Sequence, residues 1–177
     1  MERSYAAQQS TGIVGDRMIK QYIEILTDSL QKKEQILDQI IGINEQQTAI
    51  IKADTLDEEA FDKTVEEKDT LIAKLDDLDD GFERVFARVE EELSSEAGRK
   101  QYAAQIGIMK TLITSITGKS MTIQAGEEHN KKALERYFRE ERERIKSGRI
   151  GSKTALNYYN NMKNRNHVPP HFLDSKN

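Results

Sequence analysis

The chain contains no cysteine. That absence removes structural disulfides, thiol nucleophiles and thiolate metal sites together. Proline is almost missing as well, and the two present, Pro169 and Pro170, stand side by side near the end. Apolar residues make up only 36% of the 177 positions, which suits one helical domain better than a sandwich or an α/β fold. No stretch approaches the roughly 20 apolar residues that cross a bilayer. The opening "MERSYAAQQSTGIVGDR" lacks the basic-then-apolar order of a secretion signal. A soluble cytoplasmic protein without membrane insertion is expected.

The net charge of −4 hides an uneven distribution. Residues 54–98 hold 17 acidic and 5 basic side chains, whereas residues 131–153 hold 9 basic and 4 acidic. One helix neutralising another across an antiparallel contact explains such a pattern. A nucleic-acid surface is not expected, because no aromatic stacking platform or recognised module accompanies the basic residues.

What is present is helical periodicity. Ile19, Ile23, Leu26, Leu30, Leu37, Ile40 and Ile51 recur at steps of three and four, the mark of one stripe on a helix. Lys33, Asn44 and Gln47 interrupt this seam. We read them as partly exposed positions toward a helix end; the alternative is a device that fixes register or partner number. At "KADTLDEEAF" the pattern breaks, and Thr55 with Glu58 fits a capping box. A second helix to about Leu93 carries Phe61, Val65, Leu71, Ile72, Leu75, Leu78, Phe82, Val85, Phe86 and Val89, a stripe wide enough for two neighbours. Gly81 inside it suggests close packing or a slight bend.

"SSEAG" ends that helix, with Ser94 or Ser95 able to cap the next. Tyr102, Ile106, Met109, Leu112, Ile113, Ile116 and Ile123, then Leu134, Tyr137 and Phe138, define a third helix of close to 50 residues. At about 1.5 Å per residue it runs about 75 Å, so it must project or find an extra partner. The expected fold is all-α: three long antiparallel helices in a coiled-coil-like bundle (19–147), after a flexible segment (1–18) and before a C-terminal tail (148–177). In that tail, "TALNYYNNM" places Ala155, Leu156, Tyr158, Tyr159 and Met162 on a short amphipathic helix. So short a helix is marginal alone in water. It either folds back near Leu134, Tyr137 and Phe138 or contacts a partner, and it can do both in turn.

Chemistry is sparse. His129, His167 and His171 lack ligand spacing, so no metal or other cofactor is expected. Asp76, Asp77, Asp79 and Asp80 read as solvated helix surface. "TGKS" at 117–120 has neither the upstream glycine nor the strand of a phosphate loop. No enzyme is expected, and binding through helix pairing is.

The stretch "YIEILTDSLQKKEQILDQIIGINEQQTAIIKADTLDEEAFDKTVEEKDTLIAKLDDLDDGFERVF" resembles the FlgN-like flagellar export chaperones of Gram-positive bacteria. The likeness is carried by Glu67, Lys68, Asp69, Leu71, Ile72, Lys74, Leu75, Asp76, Leu78, Asp79, Gly81 and Phe82, and by the tail "SKTALNYYNNM". The resemblance implies a chaperone for hook–filament junction proteins of the FlgK and FlgL type, which binds their terminal helices and brings them to the export apparatus. It also implies that Ala155, Leu156, Tyr158, Tyr159 and Met162 bind substrate, with Leu134, Tyr137 and Phe138 as a second patch. The competing expectation is a structural coiled coil that self-assembles as a homo-oligomer, suggested by Asn44 and Gln47 in the seam.

Overall fold

A computed structural model of the chain describes residues 3–145 and Asn160, with side chains from Gly15 on. Four helices make up the described chain: α1 (Arg3–Lys52), α2 (Glu58–Ser94), α3 (Glu96–Gln101) and α4 (Ala103–Arg144). The all-α bundle is as expected. Helix α1 starts at Arg3 rather than Ile19, so residues 3–18, expected as a flexible lead-in, are helical backbone continuous with the apolar stripe. Ala6, Ala7, Gln8 and Gln9 are good helix formers. Extending a helix already nucleated costs far less than starting one.

Residue pairs fix the orientation of the helices. Tyr22 meets Arg88, Lys33 meets Asp79 and Gln47 meets Thr64, so α1 and α2 run antiparallel. Asp16 meets Tyr102, Asp38 meets Lys119 and Thr48 meets Asn130, so α1 and α4 run parallel. Helix α1 approaches both others closely, while α2 reaches α4 through long side chains such as Lys68 to Glu127. Leu26, Leu30, Val89 and Ile116 lie wholly inside, and each such burial stabilises by roughly 1.5–3 kcal/mol.

The breaks follow local chemistry. Asp57, not Thr55, caps α2: its Oδ1 accepts from the Ala60 amide at 3.0 Å. Glu58 and Glu59 then occupy the first turn, where the helix dipole favours negative charge. Ser95 closes one helix and opens the next, its Oγ donating to the Glu92 carbonyl and accepting from the Gly98 amide. A Cβ at Gly98 would lie 1.9 Å from the Glu92 oxygen, so this turn admits only glycine. Tyr102 separates α3 from α4, yet the i to i−4 bonds continue on either side of it. The expected single third helix is therefore one rod with a local distortion. Burial of the Tyr102 hydroxyl, together with its bond to Asp16 at 2.6 Å, pushes its pKa up to about 12.

The polar seam residues are not partly exposed. Lys33, Asn44 and Gln47 are 3%, 5% and 0% exposed. Lys33 crosses to Asp79 at 2.5 Å, which takes Asp79 out of the solvated surface expected for that aspartate run. Gln47 donates to Thr64 and accepts from Lys68 at 2.7 Å, and Lys68 also binds Glu127 at 2.6 Å. Asn130, also buried, donates to the Asn44 carbonyl and accepts from Thr48. These layers pair α1 with α2 and α4 within one chain. Gly81 has open space where a side chain would stand, so neither close packing nor a clash explains it.

Candidate functional site

At the end of the bundle where α1 turns into α2, a second apolar cluster forms around Ile51, Leu56, Phe61 and Leu134. Val65, Tyr137 and Phe138 pack on it half-buried. Helix spacing puts Leu134 and Phe138, four residues apart, on one α4 face, with Tyr137 beside them. The two rings meet edge to face, with centroids 5.5 Å apart. Leu134 is fully enclosed and forms the floor of this patch. Tyr137 and Phe138 are the members of the expected patch that keep exposed surface. Beyond them α4 continues through the charged "REERER" to Arg144.

Ala155, Leu156, Tyr158, Tyr159 and Met162 lie outside the described residues; Asn160, which is described, is helical and exposed. The structure does not test their expected contact with the patch.

Sequence reading missed one member of this region. Asp62 lies on α2 between Phe61 and Val65, and its Oδ1 is enclosed without a hydrogen-bond partner among the described residues. Burial, then the neighbouring Glu58 and Glu66, raise its pKa above the usual carboxylate value. The signal was legible: Glu58, Asp62 and Glu66 form a ladder of like charges at four-residue steps. Elsewhere Ser115 and then Lys119 hold the Glu34 carboxyl below its usual range, as part of a cross-helix pair rather than a reactive group.

Other surfaces offer less. A shallow groove of about 540 Å³ between α1 and α2 is lined by Gln39, Gly42, Ile43, Gln46, Glu67, Thr70 and Leu71. Met18, Ile25, Ile108 and Met121 are exposed, and some exposed apolar side chains are ordinary for a protein surface. "TGKS" lies inside α4, where Thr117 and Ser120 bond the carbonyls one turn back. Among the described residues no group of His, Asp or Glu is arranged to hold a metal ion, and no helix is long and apolar enough to cross a membrane.

The long-helix bundle and its half-exposed aromatic end define a protein whose recognisable surface feature is suited to helix pairing. The chain matches the model of the FlgN protein family over residues 18–163 and belongs to that family. Membership makes it a flagellar export chaperone. No curated protein and no solved structure matches the chain.

Proposed function

We propose that this chaperone holds hook–filament junction proteins of the FlgK and FlgL type by their amphipathic terminal helices. It does so in the cytoplasm and hands them to the export apparatus. The observation that carries the reading is the extent of the family match, which runs through residue 163 and so includes the Tyr158, Tyr159 and Met162 segment. Exported filament subunits have apolar ends that self-associate unless covered. Tyr159, Leu156 and Met162 supply one apolar side for such an end, and Tyr137 and Phe138 supply a second, floored by Leu134. Tyrosine contributes much contact area for little lost rotamer freedom.

The competing reading is a structural self-assembling coiled coil, motivated by Asn44 and Gln47 in the seam. Gln47 bonds Thr64 and Lys68 within one chain, which favours the chaperone reading, while Asn44 Nδ2 donates to the Ile123 carbonyl at 3.4 Å and its Oδ1 has no partner among the described residues. The test is capture from flagellated cells with the tagged full chain. A hook-associated protein should co-purify, and Tyr159→Ala should weaken its retention about 30-fold, the value of a hot spot worth about 2 kcal/mol. Capture that is absent, or indifferent to Tyr159→Ala, sinks the proposal.

A further inference from the structure

The flank of α2 and α4 at the aromatic end combines two incomplete features. Val65, Tyr137 and Phe138 leave apolar surface half covered. Asp62, which shares the α2 flank with Val65 three residues on, keeps an enclosed carboxylate oxygen with no partner among the described residues. An apolar surface beside a carboxylate with one enclosed, unpartnered oxygen suits an occupant that brings apolar side chains and a cation together.

The chain itself carries such a segment. Lys146, Arg149 and Lys153 are followed directly by Leu156, Tyr159 and Met162. Its reach is sufficient. Phe138 lies six residues, or about 9 Å, before Arg144 at the end of α4. The ten residues 145–154 can span up to about 33 Å, and Gly148 and Gly151 ease a reversal of the chain.

We propose that residues 149–162 dock in cis on the flank formed by Asp62, Val65, Tyr137 and Phe138. Arg149 or Lys153 pairs with the Asp62 carboxylate, and the Leu156, Tyr159 and Met162 side covers the two rings. Docking hides the segment until a substrate helix displaces it. This regulatory step rests on reading residues 154–162 as the substrate-binding element, whereas the docking geometry does not.

The absence of cysteine makes the experiment clean. Asn160 is exposed, so Asn160→Cys carries a nitroxide label without disturbing the docked side. In the full-length labelled chain the NMR signals of Val65 and Phe138 should broaden. Those of Ile108, about 45 Å from Phe138 along α4, should not. Asp62→Lys should abolish the broadening, and the isosteric Asp62→Asn should weaken it. Intact helicity with no broadening at Val65 and Phe138 overturns the proposal. So does broadening that appears only when labelled and isotope-enriched chains are mixed, which identifies a second copy as the occupant.

The functional arm uses a synthetic terminal-helix peptide of a hook-associated protein. If the segment is docked about nine-tenths of the time, Asp62→Lys should tighten peptide binding about tenfold. Broadening in a chain that binds the peptide in neither form leaves docking established and removes the junction-protein reading instead.

Discussion

Lys68 offers the most direct probe of the polar layer that registers the three long helices. The residue is 4% exposed, and its ammonium holds Gln47 Oε1 at 2.7 Å and Glu127 Oε1 at 2.6 Å. Burial lowers its pKa, and the Glu127 charge offsets this only in part. The fold therefore binds this proton less tightly than the unfolded chain does. Stability from this group rises with pH between the folded value and the ordinary lysine value. Lys68→Met keeps the aliphatic stem and removes the buried ion. It strands Gln47 Oε1, and a buried unsatisfied acceptor costs about 1–3 kcal/mol. Glu127, 27% exposed on its side chain, stays partly hydrated, so the loss of its partner adds up to about 1 kcal/mol. Escape from ammonium desolvation offsets part of this, so the net loss should be about 1–2 kcal/mol.

Gln47→Leu alone should cost a similar amount, because it removes an oxygen partner of the Lys68 ammonium and the amide that bonds Thr64. The double variant strands nothing comparable: Thr64 still donates to the Phe61 carbonyl. It should lie within about 1 kcal/mol of the natural chain, a coupling of about 1–3 kcal/mol between the two sites. Urea unfolding followed by far-UV circular dichroism reads all four proteins. A double variant that loses the sum of the two single losses refutes the coupled layer.

Four further outcomes are expected. Gly81→Ala and Gly107→Ala meet nothing within 4 Å in helix interiors, so each should stabilise by about 0.5–1 kcal/mol; Gly98→Ala should instead lower the thermal midpoint by forcing the Ser95 turn apart. Asn130→Leu removes the groups that engage Asn44 and Thr48 and should cost about 1–3 kcal/mol in the same urea assay. The depressed Glu34 pKa predicts stability that is present above the ordinary glutamate value and is lost as pH falls through the folded one; Glu34→Gln should flatten that acid limb in a pH series of thermal melts.

Much of the architecture is readable along the chain because it rests on local rules. The Ile23, Leu26, Leu30, Leu37 and Ile40 stripe marks the buried face of α1, and the "SSEAG" break contains the Ser95 cap. What escapes reading depends on partners distant in sequence. Lys33 reads as an interruption of the seam until Asp79, 46 residues away, is placed against it. Gln47 needs Thr64 and Lys68, and Tyr102 needs Asp16, 86 residues away. The cap at Asp57 rather than Thr55 is a competition between adjacent oxygens, which backbone geometry decides. At the site, Tyr137 and Phe138 are visible from their spacing. The enclosure of Leu134 is not, because it depends on Phe61 and Val65 arriving from α2.

Titration calorimetry should measure the full chain and a chain lacking residues 150–177 against the terminal helix of a hook–filament junction protein. Saturable binding by the full chain and its loss on truncation are expected, with the helical circular dichroism of residues 3–145 retained. No binding by the full chain, or equal binding by both, refutes a junction-protein chaperone that holds its substrate through this tail.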